Sequence, residues 1–428
     1  MEIYQAGAGD TLRGIAERYG VRPEQLAADN GLAPDAPLAE GQAVVVLFPA
    51  QEVRVAQGDT LFTLAARYGT TVTQLMRNNP QLYGRTALTP GQTLVVSYNQ
   101  PRGGRFAVTG YAYSWVGEET LRRTLPYLTF LSIFGYGVTA EGSLVGLDDE
   151  LALRLAREYG VGAVMLLCSI DESGGFSSGN FVRVLTDAAA QERLLDETVQ
   201  NMQEKGYIGL DLDFEYIPPE YEDEYIAFVR RASERLRPQG YFVLTALAPK
   251  TRADQSGLLY EAHNYRALGE ASSYVLLMTY EWGYGGGPAM AVAPINKVEE
   301  VVRYAVSEIP PHKIGMGVPM YGYDWPLPYV RGVSRTTSIG CREAEQLALR
   351  VGAAIQFDET AQSPFFLYTE NGVEHEVWFE DARSFRAKYD LASGYTLNGL
   401  GFWSVMRFYQ PAWSVLNALY SIDRASLR

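Results

Sequence analysis

Three carboxylic acids occur at alternate positions in one apolar segment, where residues 209–216 read GLDLDFEY. Alternate residues of a β-strand point to the same side, so Asp211, Asp213 and Glu215 would share one face. Grouping three negative charges away from water is unfavourable unless protons are shared between them. Because such an arrangement needs a functional reason, we interpret these acids as catalytic.

The order of the three acids fits glycoside hydrolysis. Glu215 comes last, just before the segment IPP, so it would lie at the mouth of a site with Asp213 and Asp211 deeper. An accessible acid can protonate the leaving oxygen while a neighbouring carboxylate adjusts its pKa and position. The alternatives are that Asp211 is a purely structural buried acid and that Glu215 is a surface group.

Short apolar segments alternate with amphipathic ones from residue 106 onward. This pattern predicts an α/β fold, a (β/α)₈ TIM barrel over residues 106–428, with catalytic groups at the C-terminal ends of the strands. The connection before the last strand is long, and we predict a small α+β insertion there, at about residues 322–396. The expected strands are residues 106–114, 127–136, 162–170, 208–216, 241–249, 274–280, 313–321 and 398–405.

Two similar stretches precede the expected barrel. Residues 7–30 read GAGDTLRGIAERYGVRPEQLAADN, and residues 56–79 read AQGDTLFTLAARYGTTVTQLMRNN. Each copy predicts the order strand, helix, helix, strand. We therefore place small βααβ modules at residues 1–48 and 51–97, followed by a polar linker at residues 98–105.

The two repeats resemble the LysM module, which implies binding of glycans that contain N-acetylglucosamine, such as peptidoglycan or chitin. A repeat retained only for folding or protein contacts is the alternative interpretation. The expected glycan-binding positions are Gly9, Asp10, Thr11, Leu12 and Asn30 in the first copy and Gly58, Asp59, Thr60, Leu61 and Asn79 in the second.

The bulk composition argues against several classes of function. A formal net charge of −14 argues against partners such as nucleic acids or anionic membranes, which need basic patches. The two cysteines and three histidines show no metal-ligand spacing, so we expect no metal and no cofactor. We find no apolar run long enough to span a membrane and no pattern of a secretory signal peptide. We expect a monomer.

The acidic segment resembles the fourth strand of the family-18 glycoside hydrolases, the chitinases and their relatives, which carries a DGxDxDxE-type motif. Here the segment reads IGLDLDFE, with Ile208 in place of the first acid. The segment Met278-Thr279-Tyr280-Glu281, which usually ends in Asp in chitinases, and Trp403 on the expected eighth strand extend the resemblance.

The resemblance implies a substrate-assisted mechanism, in which the substrate's own 2-acetamido oxygen attacks the anomeric carbon. Glu215 would then be the general acid and base, Asp213 would hold the acetamido group, and Asp211 would support the proton balance. Tyr280 would donate to the acetamido group and Trp403 would lie under the −1 sugar, unless these two are ordinary core aromatics. The other expected groove residues are Tyr111, Phe134, Tyr136, Met278, Glu281, Trp282 and Tyr321.

Two LysM-like modules followed by MTYEWGY, GVPMYGYDW, EVWFED and GFWSVM resemble the spore cortex-lytic and cortical-fragment-lytic N-acetylglucosaminidases of endospore-forming bacteria. The resemblance implies cleavage after N-acetylglucosamine in spore cortex, with synthesis in the mother-cell cytoplasm and deposition on the spore. A chitinase with the same machinery and a non-catalytic glycan-binding coat protein are the alternatives. Lectins of this family usually lack the terminal acid of the motif, which is present here as Glu215.

Overall fold

The protein, in a computed structural model, is described over residues 1–99, 102–170 and 178–425. Its N-terminal part contains two βααβ modules, each with an antiparallel pair of strands. The first module comprises Glu2–Gln5, Leu12–Tyr19, Pro23–Asn30 and Ala43–Val46, and the second comprises Pro49–Arg54, Leu61–Tyr68, Val72–Asn78 and Thr93–Tyr98. The linker expected at 98–105 includes residues 100 and 101, which lie outside the described residues.

The shared sequence GDTL builds the start of the first helix in each module. In the first copy, Gly9 takes a left-handed backbone conformation, with φ of 80°, in the turn before the helix. Asp10 closes this turn by accepting a hydrogen bond from the amide three residues earlier, at 2.8 Å. Thr11 caps the helix by accepting one from the amide three residues later, at 3.1 Å. Folding alone therefore requires much of the repeated motif.

The asparagine at the end of each repeat, which was expected to bind glycan, lies inside its module instead. The side chain of Asn30 both donates to and accepts from the backbone of Val45, each at 2.8 Å, which ties the second helix to the closing strand. Asn79 makes the equivalent contacts in the second module. Leu12 and Leu61 are buried in the module cores. Direct glycan contact by these four side chains is therefore excluded, whereas the GDT residues of both copies reach the surface.

Within residues 102–170 and 178–425, eight parallel strands close into a barrel surrounded by helices, so the predicted TIM barrel is confirmed. The barrel closes because its first strand pairs with both the second and the eighth. The barrel strands, numbered one to eight below, are Arg105–Tyr113, Phe130–Val138, Gly162–Cys168, Gly209–Asp213, Phe242–Leu247, Tyr274–Leu277, Ile314–Pro319 and Gly399–Trp403.

Amphipathic helices cover the outside of the barrel. Ala188–Lys205, for example, buries Leu194, Leu195 and Met202 and ends at Gly206, which has a left-handed φ of 77°. The helices of this domain are Glu118–Thr124, Glu150–Tyr159, Ser178–Thr186, Ala188–Lys205, Glu222–Leu236, Tyr265–Ala271, Ile295–Glu308, Cys341–Val351, Ala382–Gly394 and Gln410–Leu419. Among the described residues, no helix is both long and apolar enough to cross a lipid bilayer.

An α+β insertion lies between barrel strands seven and eight, where the long connection predicts it. Its antiparallel sheet contains, in spatial order, Thr337–Gly340, Tyr321–Leu327, Val373–Trp378, Ser363–Glu370 and Gln356–Asp358. The strand Tyr321–Leu327 follows barrel strand seven almost directly, so it starts at the catalytic end of the barrel. Two shorter strands, Leu144–Val145 and Ser421–Ile422, extend the barrel sheet beside barrel strands two and one.

The N-terminal modules pack against the barrel through buried polar contacts. Arg77 of the second module is buried and donates a hydrogen bond to the carbonyl of Pro126. The hydroxyl of Tyr127 donates in turn to the carbonyl of Arg77, at 3.1 Å. On the last helix, the side-chain amide of Asn417 donates to Asn78, at 3.0 Å. Because buried polar groups of the modules are paired with groups of the barrel, the modules and the barrel form one packed unit.

Candidate active site

The three acids lie at the end of barrel strand four and in the loop that follows it. The strand ends at Asp213, earlier than the alternating pattern predicts, and Tyr216 in the loop has a left-handed φ of 56°. Glu215 nevertheless lines the same cleft as Asp213. Asp211 is fully buried, whereas the other two acids are partly accessible. The trio therefore extends from the barrel interior to the cleft.

Burial and mutual repulsion change the ionisation of the two inner acids. Burial raises the pKa of Asp211 to about 7, and the hydrogen bond from the hydroxyl of Ser132 opposes this rise. The Ser132 hydroxyl lies 3.0 Å from Asp211 Oδ2. Burial, together with the charges of Glu215 and Asp211, raises the pKa of Asp213 well above its ordinary range. The inner pair therefore binds a proton more strongly than ordinary aspartates do, and the two carboxyls can share it.

The surroundings of Glu215 favour the acid form of its carboxyl. Burial raises the pKa of its carboxyl, and the charge of Glu281 adds to the effect. Glu281 follows barrel strand six with a left-handed φ of 67° and accepts hydrogen bonds from the hydroxyls of Tyr321 and Tyr323, the latter at 2.9 Å. A carboxyl whose pKa is raised toward neutral pH is better suited to general acid catalysis than an ordinary glutamate.

The raised pKa of Asp211 should make the folding stability depend on pH. An aspartate ionises near pH ~4 in an unfolded chain, whereas the pKa of Asp211 in the folded protein is about 7. Between these values the folded state binds the additional proton, so stability falls as the pH rises through this window. We expect Asp211→Asn to reduce this fall, measured as the thermal midpoint between pH 4 and pH 8. Asp35→Asn, at an exposed position, is the matched control, and an unchanged slope in Asp211→Asn would contradict the assignment.

Aromatic side chains form the floor beside the acids. Trp403, at the end of barrel strand eight, packs against Phe134 and Tyr111, with ring centroids 5.2 and 6.1 Å away. Tyr280 follows barrel strand six and is half-buried near Asp213. Burial of its hydroxyl raises the pKa of that group well above the ordinary value, and the charge of Asp213 raises it further. Tyr280 therefore remains a hydrogen-bond donor at any physiological pH.

A cleft of about 780 Å³ opens over these residues. Met278, Glu281 and Trp282 line it, together with Phe134, Tyr280 and Trp403, so most of the expected groove residues come together. The cleft also contains side chains that the sequence did not single out as groove residues, namely Tyr216, Thr251, Arg252, Gln255, Leu259, Tyr260 and Tyr284.

Tyr136 does not belong to the cleft, which corrects the sequence expectation. Gly135, with φ of 131°, interrupts the register between barrel strands two and three at the step from Phe134 to Tyr136. Such a bulge breaks the alternation of side chains. Tyr136 therefore packs with the outer core, where its hydroxyl donates to Asp149 and accepts from Lys205 (2.8 Å). The glycine was the sequence signal for this change of side.

His263 supports the catalytic loop from behind, a role that its sequence position does not reveal. Its Nδ1 accepts a hydrogen bond from the amide of Ala248 at 2.8 Å, so the proton lies on Nε2, which donates to the carbonyl of Phe214 at 3.2 Å. Burial lowers the pKa of His263 to about 4 and keeps the ring neutral. The ring thus fixes the backbone next to Glu215.

Comparisons with known proteins show which families the two parts of the chain match. The family described as Glycosyl hydrolases family 18 matches residues 162–407, and the LysM domain matches residues 4–46 and 53–97. The chain is 38% identical to the cortical fragment-lytic enzyme of Bacillus subtilis (strain 168) over 333 residues, 78% of this chain and 75% of that protein. It is 34% identical to the cortical fragment-lytic enzyme of Bacillus anthracis over 433 residues, 99% of each chain.

A solved structure extends the similarity to the whole fold. The crystal structure of the Bacillus megaterium QM B1551 spore cortex-lytic enzyme SleL superposes with a TM-score of 0.83 and 34% sequence identity. The match covers 99% of this chain and 98% of that one. The similarity therefore includes both small modules, the barrel and the insertion.

Proposed function

The chain belongs to glycosyl hydrolases family 18, and from this premise we propose that it cleaves spore cortex peptidoglycan after N-acetylglucosamine. The observation that carries the proposal is the placement of Asp213 and Glu215 in one cleft with Tyr280 and Trp403, while Asp211 is buried deeper on the same strand. The chain is a glycoside hydrolase, and its LysM modules would hold the enzyme on the glycan. We also propose that it is deposited on the spore, where this substrate lies.

The proposed reaction is substrate-assisted. Glu215 donates its proton to the glycosidic oxygen, and the bond from that oxygen to the anomeric carbon breaks. The carbonyl oxygen of the substrate's acetamido group attacks the same carbon and forms an oxazolinium ion. The ionised Glu215 then removes a proton from water, whose oxygen attacks the anomeric carbon and reopens the ring with net retention.

The surrounding groups prepare this step. The proton shared by the inner pair moves from Asp213 to the carboxylate of Asp211. Asp213 is then ionised, accepts the acetamido N–H, and its charge offsets the positive oxazolinium ring. The Tyr280 hydroxyl donates to the acetamido oxygen and orients it toward the anomeric carbon. Trp403 provides an apolar surface under the −1 sugar, because the flat faces of sugar rings present C–H groups.

The relatives support cortex as the substrate, since the names of two relatives and of the matched crystal structure refer to cortical fragments or to spore cortex. A chitinase would use the same acids and the same floor, so the polymer has to be identified from the products. The presence of Glu215 disfavours the third candidate, a glycan-binding protein without activity.

The position of the hydrolysed bond distinguishes the proposed activity from that of a muramidase. The acetamido oxygen of the −1 sugar is the nucleophile, and many cortex muramic residues are δ-lactams whose carbonyl cannot reach the anomeric carbon. We therefore expect N-acetylglucosamine at the new reducing end, identified by borohydride reduction of the products and mass spectrometry. Reduced muramic acid or reduced muramic lactam as the main end group would reject the proposal. Colloidal chitin, assayed in parallel, tests the chitinase alternative.

A further inference from the structure

A second pocket of about 340 Å³ continues the cleft on the other side of Trp403. Trp403 and Glu281 line both pockets, so the two form one groove. Glu215 lies in the larger pocket, and a general acid must face the oxygen of the leaving group. If Trp403 underlies the −1 sugar, the larger pocket holds the leaving chain and the smaller pocket holds the sugar at −2.

The smaller pocket offers an aromatic platform of the kind that binds sugar rings. Trp115 is 71% exposed and stacks on Tyr113, with ring centroids 4.4 Å apart and planes inclined by 23°. Tyr113 in turn lies 5.9 Å from the ring of Trp403. A large exposed tryptophan supported in this way presents a rigid flat face next to the −1 position. The platform therefore fits a pyranose ring at −2.

Arg407 brings a positive charge to the wall of this pocket. Its guanidinium lies 3.4 Å from the Ser338 hydroxyl and 3.8 Å from Glu343, which is longer than a charge-assisted hydrogen bond of about 2.7–2.9 Å. The same oxygen of Glu343 already accepts a hydrogen bond from the amide of Gly340 at 2.8 Å, where it caps a helix. A Cβ at Gly340 would lie 3.0 Å from Arg407 Cδ, so the glycine leaves room for the arginine stem.

The sugar that the proposed function places at −2 carries an acid. If the −1 sugar is N-acetylglucosamine, alternation along peptidoglycan puts a muramic unit at −2. Outside its lactams, a muramic unit carries a carboxylate, either that of the lactyl group or those of the peptide attached to it. Chitin has no acid at the equivalent position. A cation beside this subsite therefore separates the two polymers, in a protein whose formal net charge is −14.

We propose that Arg407 is a specificity-determining residue that binds a carboxylate on the muramic unit at −2. This inference rests on the proposed direction of the glycan in the groove. The arginine fork can take a carboxylate in a bidentate arrangement, releasing its long contact to Glu343. Anionic peptidoglycan fragments are thereby held more tightly than neutral glycans of equal length, while the chemistry at Glu215 is unaltered.

The test compares each fragment with the same fragment made neutral. Cortex fragments are prepared with their peptides and, after amidase digestion, with the free lactyl carboxylate; half of each is amidated with carbodiimide and methylamine. Hydrogen bonds to charged groups are worth about 1.5–3 kcal/mol. The KM of the wild type should therefore be lower for the anionic form than for the neutral form, by about 10-fold or more. The source of the carboxylate is identified by which of the two fragment types shows this preference.

Arg407→Gln should abolish the preference, and Arg407→Lys should restore part of it. Arg303→Gln, which removes a surface arginine on the outer helix Ile295–Glu308, controls for the change in net charge and should retain the full preference. Equal KM values for both forms with the wild type, or a preference that survives Arg407→Gln, would overturn the inference. Loss of the preference in Arg252→Gln, in the larger pocket, rather than in Arg407→Gln would overturn it as well.

A failure of the proposed cortex hydrolysis can be distinguished from a failure of the Arg407 inference. If the wild type releases no reducing ends from any fragment, cortex hydrolysis is rejected, but the Arg407 inference is still tested by binding. In that case the dissociation constants of the same four fragments are measured by calorimetry on the wild type and on Arg407→Gln. A preference for anionic fragments that disappears in the variant supports the carboxylate site, and equal affinities reject it.

Discussion

Glu215→Gln is expected to lower kcat by about 10²–10⁴-fold while glycan affinity and thermal stability stay near wild type. The glutamine amide has nearly the same shape as the carboxylic acid but has no proton to give to the leaving oxygen. Burial and the charge of Glu281 raise the pKa of Glu215, which favours the acid form that the reaction needs and that the variant cannot reproduce.

The measurement is the release of reducing ends from cortex fragments, with affinity determined on the same preparation. Glu220→Gln is the matched control, because Glu220 is exposed on the same connection five positions further along the chain. A Glu215→Gln enzyme that keeps half of the wild-type kcat would eliminate Glu215 as the general acid. A variant that loses binding together with turnover would instead show that the side chain shapes the groove.

The fold was predictable because its signals are local. Alternating apolar segments give the barrel strands, and the repeated GDTL motif gives turn, cap and core residue within four positions. The same local rule fails where a single residue changes the register. Tyr136 was expected to share the side of Phe134, and the bulge at Gly135 sends it to the outer core.

The candidate site was predictable only where one strand end carries several of its members. The acids of barrel strand four follow from alternation, whereas Tyr280 and Trp403 were expected from the resemblance to family-18 glycoside hydrolases. His263, Tyr323 and Arg407 are brought to the site by contacts across the fold; His263, for example, contacts Phe214 from 49 positions away. No spacing in the sequence encodes such contacts, so these residues had to be found in the structure.

The ionisation of the trio also depends on contacts that the sequence does not show. Sharing of protons follows from the spacing alone, but which acid keeps its proton depends on depth and on neighbours. Burial is the largest cause for all three, while Glu281 acts on Glu215 and the hydroxyl of Ser132 acts on Asp211. Asp213 has charged neighbours on both sides of it and therefore responds most to changes in either acid.

Asp213→Asn should have the second-largest effect, a fall in kcat of about 10²–10³-fold, the loss typical when one preorganised electrostatic group is removed from a transition state. The asparagine oxygen can still accept the acetamido N–H, but it carries no negative charge to offset the oxazolinium ring. The substitution also removes the central member of the coupled acids, so the pH profile of kcat should change its shape.

The graded comparison with Asp211→Asn makes this prediction specific. Asp211 is fully buried and separated from the sugar by Asp213. Asp211→Asn should therefore lower kcat less than Asp213→Asn does, and should mainly move the pH optimum. In the Asp211→Asn enzyme, Asp213 loses a neighbouring charge that raises its pKa, and its carboxyl should therefore ionise at lower pH. The acidic limb of the kcat profile should then extend to lower pH than in the wild type. If both variants kept the wild-type pH profile, the coupling of these carboxylates would be refuted. An equal loss of kcat in both would show that depth in the barrel does not determine how much each acid contributes to catalysis.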